Sequence, residues 1–254
     1  MGKKRELNDA VVYGAVNEEV LNKPIKIGMS NSGAATRPNA WKHIDGTVKD
    51  LVNFLSKFQI GEKDGTCILM GEAVGVRSAS AMKDLCIMMM DHDSGEDFYD
   101  LCEGAEKSGY FTILWTTHSH GKKTTTIPRD HLVKWASVKK DDITLEHVIA
   151  YLEKVKSYQP EILKTCKLGG EVRTQNGIEI KVKHTKMTKA RSLRILKEDF
   201  DYADYDTKLD GQRQWARYLA GLADQLGVVY DESCKDPSRL MYTPRHAEDS
   251  KADH

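Results

Sequence analysis

CIMMMDHDSGEDF, residues 86–98, drives five soft apolar residues into two aspartates one residue apart. On a strand, side chains alternate between faces, so Asp91 and Asp93 point the same way and His92 points the other. Two carboxylates held side by side repel unless a cation sits between them. Oxygen-only donors at the end of a strand suit Mg²⁺ or Mn²⁺, which keep waters and use phosphates as further ligands. The alternative is that the aspartates leave the strand into solvent and open a loop.

Working outward, Ser94-Gly95 breaks the chain, and Phe98, Leu101, Cys102 and Ala105 follow at helical spacing. Gly109 is placed to cap that helix, and YFTILWT (110–116) reads as the next strand. This β–α–β order predicts a sheet covered by helices, an α/β or α+β domain. Upstream, TCILM (66–70) reads as a buried strand. Thr47 can cap a helix with Val48, Leu51, Val52, Leu55 and Phe58 on one face. The first forty residues end in a polar, glycine-bearing loop, GMSNSGAATRPNAW.

Downstream, Thr144 opens an amphipathic helix carrying Leu145, Val148, Ile149, Leu152 and Val155. GGEVRTQNGIEIKVKHT reads as a hairpin turning at Gln175-Asn176-Gly177. A short strand is expected near SLRIL (192–196). Asp210 is placed to cap a last helix with Trp215, Leu219, Leu222 and Leu226 inward and Gly227 closing it. Residues 1–246 are expected to form one domain, and the polar 247–254 a tail or linker to a further module.

The 254 residues carry 38 Lys+Arg and 38 Asp+Glu, so no global field favours a polyanion, and a nucleic-acid surface must be a local patch. Five scattered cysteines, with no CxxC pair, predict reduced thiols rather than a disulfide framework or a cysteine zinc site. MGKKRELNDA has no apolar signal core and no run approaches membrane-spanning length, so a cytoplasmic chain with no membrane partner is expected.

Three further stretches carry chemistry. In VVYDESCKDPSRL, Asp231 follows an apolar run and is the candidate third carboxylate. Asp236 has a turn to make in Asp-Pro-Ser. Arg239 can meet a phosphate with its fork or simply pair with Asp231 or Asp236. TILWTTHSHGKK places His118 and His120 after a strand, as a polar pocket or a solvated turn. HTKMTKARSLRILK gathers Lys189, Arg191 and Arg194 on a strand.

An apolar strand ending in D-x-D, a Ser/Thr-and-His motif after a strand, and an apolar–Asp motif followed by DPSRLMYTP together resemble the archaeo-eukaryotic primase superfamily. The nearest branch is the primase-polymerase type of phages, plasmids and mobile elements. The resemblance spans roughly residues 65–246. It implies a primase-like core, an RRM-like sheet with a second α/β unit, and an inserted helix and hairpin between the second and third motifs. It implies that Asp91, Asp93 and Asp231 are the catalytic, metal-binding carboxylates for Mg²⁺ or Mn²⁺. The second motif lands literally on Thr116-Thr117-His118, with His120 adjacent, whereas Ser192–Leu196 has the strand context with Arg194 in the histidine's place.

The implied activity is template-dependent nucleotidyl transfer from NTP or dNTP on single-stranded DNA, in a host cytoplasm and beside a replicative helicase. His118, His120, Arg191, Arg194 and Arg239 would bind the nucleotide. A D-x-D glycosyltransferase and a rolling-circle replication initiator, with Tyr151 or Tyr158 as nucleophile, are the rival classes. Asp91→Ala or Asp93→Ala is expected to abolish incorporation with the melting temperature unchanged or higher, by relief of like-charge repulsion.

Overall fold

The computed structural model describes residues 11–33, 40–75, 77–175 and 177–247. MGKKRELNDA, Asn176 and the tail beyond 247, for which the sequence sets expectations, lie outside the described residues. Within them the protein is a mixed α+β structure of seven α-helices and several mainly antiparallel sheets.

The N-terminal part runs β1 (Val11–Tyr13), α1 (Glu18–Leu21), β2 (Pro24–Ser30), β3 (Lys42–Thr47) and α2 (Val48–Leu55). Short strands β4 (Gln59–Ile60), β5 (Cys67–Ile68), β6 (Glu72–Ala73) and β7 (Met82–Lys83) follow. Here the structure departs from the expected polar opening, because Gly28, Met29 and Ser30 belong to β2 rather than to a loop. Thr47 caps α2 as expected, its hydroxyl accepting from the Asp50 backbone while the Asp50 carboxylate accepts from the Thr47 N–H. Val48, Leu51 and Leu55 are buried, but Phe58 lies past the helix end and is 46% exposed.

The opening stretch forms β8 (Leu85–His92), buried along its whole length, then α3 (Phe98–Ser108) and β9 (Thr112–Thr116). Gly109 ends α3 at φ 69°, a left-handed conformation that glycine adopts without steric cost. After an insertion come β13 (Ala190–Phe200) and α7 (Lys208–Leu226). The helix is capped by Thr207, with Asp210 in its first turn rather than at the cap.

Strand β13 pairs antiparallel with β8 on one side and with β9 on the other, giving the order β1-β9-β13-β8. Strands β8 and β9 therefore run the same way with β13 between them, a split β-α-β unit. Register fixes the faces. Asp91, Arg191 and Trp115 share one face, while His92, Ala190 and Thr116 share the other. Leu114 and Ala190 on that second face pack against Phe98, Leu101 and Ala105 of α3. A second sheet, β14-β5-β2-β3, adds β14 (Met241–Tyr242). A continuous core joins the two sheets with α2 and α7, from Ile27, Leu55 and Ile68 to Met89, Leu193 and Trp215. A final strand, β15 (Arg245–His246), pairs parallel with β4.

The insertion is a satellite lobe with a core of its own. It contains β10 (Thr124–Pro128), α4 (Arg129–Ala136), α5 (Leu145–Lys154), α6 (Pro160–Leu163), β11 (Lys167–Thr174) and β12 (Gly177–Lys183). The hairpin expected at 169–185 is β11–β12, with Thr174 opposite Gly177. Ile127, Leu132, Val148, Leu152, Ile162, Ile180 and Val182 form its interior.

All five cysteines are free, and burial pushes the Cys67 and Cys86 thiols up to about 11, which keeps them protonated. Among the described residues no helix is long and apolar enough to cross a membrane.

Candidate functional site

The end of β8 opens into a cavity of about 320 Å³. Asp91 and Asp93 meet there Lys63, Arg77, Lys189, Arg191, Arg239 and Arg245, with Thr117, His118, Ser119, Tyr242 and Thr243 completing the wall. Six cations face two carboxylates, so the cavity favours a polyanion.

Asp91 is 4% exposed. Its carboxylate lies 3.3 Å from Arg191 Nε and accepts from Arg191 Nη2 at 3.4 Å. Arg191 also donates to the Tyr242 carbonyl at 2.9 Å, which ties β13 to the second sheet. Arg239 Nη2 stands 4.0 Å from Asp91 Oδ2 and 3.6 Å from Asp231 Oδ2, so one guanidinium bridges the two carboxylates. Asp93 is more open and pairs with Lys189 at 3.3 Å.

Asp231 is brought to the site by the backbone. Its N–H donates to the Asp91 carbonyl at 2.9 Å, fastening the segment after α7 beside β8. Residues 228–230 are irregular rather than a strand. Burial acts to raise the Asp231 carboxyl, but hydrogen bonds from the Ser233 backbone and hydroxyl, with Arg239 and Lys156 nearby, hold it below its usual value. Asp236 does the turn work expected of it, its carboxylate accepting from the Ser238 N–H and hydroxyl at 2.8 Å each.

Three expected nucleotide contacts, His118, Arg191 and Arg239, reach the cavity. His118 Nε2 bonds the Gly61 carbonyl at 3.1 Å. Desolvation, then Lys122 and Lys63, lower its pKa, so the neutral ring is favoured. His120 is turned aside, with Nδ1 accepting from the Lys189 N–H at 3.4 Å.

Arg194 departs from the expectation. Three residues from Arg191 on a strand, it projects from the opposite face and lies 5% exposed on the α3 side of the sheet. Its Nη1 donates to Ser192 Oγ at 3.0 Å, and desolvation holds the guanidinium down to about 10. Ser192 in turn lies 2.8 Å from His92 Nε2, and His92 Nδ1 lies 3.0 Å from the Val229 carbonyl. A buried polar relay thus runs behind the site from β13 through β8 to the segment carrying Asp231.

Lys63, Arg77 and Arg245 escaped the sequence reading. They come from loops and a two-residue strand with no periodicity to mark them. Only Arg245, inside the DPSRLMYTPRH string, had a signal nearby.

Among the described residues, no three His, Cys, Asp or Glu side chains already form a metal-holding group. The donor set nevertheless fits a hard divalent ion. Asp91 Oδ1 is buried and makes no hydrogen bond, its cationic neighbour being Arg191 Nε at 3.3 Å, and Asp91 and Asp231 already share one cationic atom, Arg239 Nη2. An ion between them would take the place of that half-exposed guanidinium. Comparison with family models, with curated proteins and with solved structures returned no match.

Proposed function

We propose that the protein is a template-dependent nucleotidyltransferase of the primase-polymerase type, acting on NTP or dNTP over single-stranded DNA. The observation that carries this reading is the cavity at the end of β8, where six cations face Asp91 and Asp93, while Asp231, which is not part of the cavity wall, reaches Asp91 across Arg239. The split β-α-β sheet bearing Asp91, beside the second sheet, is what an RRM-like primase core would require.

Asp91 and Asp231, with Asp93 at the rim, would hold Mg²⁺ or Mn²⁺. Such ions supply neutralisation of the α-phosphate and leaving pyrophosphate and lower the pKa of an attacking hydroxyl. The chain's own part is electrostatic and positional. Arg191 is fixed by Asp91 and the Tyr242 carbonyl, so its remaining donors are pre-aimed into the cavity. Arg239, released from the carboxylates, would swing to the phosphates as a charge-assisted clamp. Lys63, Arg77, Lys189 and Arg245, which also line the cavity, would neutralise the rest of the triphosphate.

The rivals find less support. Tyr151 and Tyr158 are 7% and 6% exposed in the satellite core, where a nucleophile has no access to DNA. Among the described part of the first sixty residues, β1 and β2 flank α1 but lie in different sheets, and β2 pairs antiparallel with β3, so they do not form a nucleoside-binding β-α-β unit. The test is incubation with primed and unprimed single-stranded template, Mg²⁺ or Mn²⁺ and labelled NTP or dNTP. Template-dependent extension or new primers, lost in Asp91→Asn, is the expected result. A covalently attached nicked strand, sugar transfer, or no incorporation under any of these conditions overturns the reading.

A further inference from the structure

The satellite lobe has a sheet face that is largely exposed among the described residues. In the sheet β10-β12-β11, Ile180 and Val182 point into the lobe core, so Lys181 and Lys183 point out. Lys183 stands directly opposite Lys167 on β11 and Thr124 on β10, and Lys181 opposite Thr126. Lys167, Lys183, Thr124 and Thr126 are exposed.

Like charges facing each other across a ladder destabilise a sheet. No carboxylate among the described residues pairs with these three lysines. Glu171 is paired with Arg129 at 2.9 Å, and Glu179, the one acid of β12 on this face, accepts from the Thr174 hydroxyl at 3.4 Å, leaving three lysines against one carboxylate. The patch is also shaped. A bulge at Gly169-Gly170 interrupts β11, and a Cβ on Gly169 would lie 3.2 Å from Lys181 Cγ and 3.4 Å from Lys183 Cγ. The lysine stems therefore lie beside the glycine, where a larger residue would crowd them.

The patch leads to the cavity. Beyond β10 and β12 the two chains stay bonded, His184 N–H to the Lys123 carbonyl at 2.8 Å and Gly121 N–H to the Met187 carbonyl at 3.0 Å. Thr117 N–H then bonds the Lys189 carbonyl at 2.9 Å, and both residues line the cavity.

We propose that this face binds the sugar–phosphate backbone of a single-stranded nucleic acid and delivers it to the cavity. Lys181 and Lys183, two residues apart on a strand, are about 6.6 Å apart along the chain, a reach that suits neighbouring phosphates of an extended strand. Lys167 and the threonine hydroxyls add donors on either side. The polarity of the face and its path to a cation-lined cavity favour a nucleic acid over an acidic protein. The destination rests on the proposed function, but the binding does not.

The experiment is fluorescence anisotropy of a labelled mixed-sequence oligodeoxynucleotide, titrated with wild type, K167Q/K181Q/K183Q and K167R/K181R/K183R, from about 50 to about 200 mM salt. The glutamine variant should bind about tenfold more weakly at low salt. Its log–log salt slope should fall by about 2, at about 0.7 per lost phosphate contact. The arginine variant should bind like wild type, and melting temperatures should not drop, since only repelling charges are removed. Unchanged binding by the glutamine variant, no binding by wild type, or equal competition by polyglutamate overturns the proposal. Lysine-dependent binding without nucleotide incorporation would sink the proposed function alone and leave this face standing.

Discussion

Asp91 holds two arginines at once, and that decides what its removal does. The sequence suggested that deleting one of two neighbouring acids relieves repulsion and leaves stability unchanged or higher. The structure reverses the sign, because Asp91 is the counter-ion of Arg191, itself 9% exposed. Asp91→Ala should cost about 3 kcal/mol, the penalty for stranding a buried charge. Arg191→Ala added to it should recover part of that loss in a urea-melt cycle, and an unaltered midpoint for Asp91→Ala would refute the pairing. Arg239 works oppositely toward metal. Arg239→Ala should tighten Mn²⁺ binding about tenfold in calorimetry, the scale of one unit charge at roughly 4 Å, while raising the nucleotide KM. Weaker Mn²⁺ binding would place the ion elsewhere. For His118 the folded pKa lies below 6.5, so the unfolded chain takes up the proton first. Stability should therefore fall as pH drops below 6.5, and fall less steeply in His118→Gln; identical slopes in thermal melts would count against the assigned environment.

Three elements have to stay in register for the site to exist: β8, β13 and the segment after α7. In front, Arg191 and Arg239 join them through charge. Behind, the relay from Arg194 through Ser192 and His92 to the Val229 carbonyl joins the same three through hydrogen bonds. This gives Arg194 a supporting place in the sheet instead of the phosphate contact expected of it. His92→Leu should cost about 2 kcal/mol by removing the hydrogen bonds to the buried Ser192 hydroxyl and to the half-buried Val229 carbonyl. It should also raise hydrogen exchange across residues 228–233, since the segment would lose one of its ties to β8 and keep the Asp231 N–H to Asp91 bond, the Val229 N–H to Glu96 bond and the Arg239 bridge. Exchange confined to α3 would mean the relay supports only the helix.

Across the whole molecule, the carboxylates of the site are already paired with Arg191, Arg239 and Lys189, so the fold does not wait on a metal. Chelation with EDTA should abolish nucleotide incorporation and leave the melting temperature where it was. A large fall in melting temperature would reveal a structural ion instead. The satellite lobe, with its own core, sits between β9 and β13 without interrupting the main one. Chain length and the hairpin signal made that lobe visible in outline, but its position beside the cavity comes from the ladder linking residues 121–123 to 184–187.

Local physics was enough for the strand Leu85–His92, the helix ended by Gly109, the Thr47 and Thr144 caps and the β11–β12 hairpin. Each depends on spacing within a few residues. The same reading singled out Asp91, Asp93, Asp231, Arg191 and Arg239, because charged residues beside apolar runs stand out along a chain. What the chain could not announce was which partner each charge meets. Lys63, Arg77 and Arg245 join the cavity only because separate loops fold over one strand end. Arg194 leaves it because strand register, set by pairing with both β8 and β9, turns alternate residues to opposite faces. Residue identity fixed the charges, and long-range strand pairing decided which of them meet.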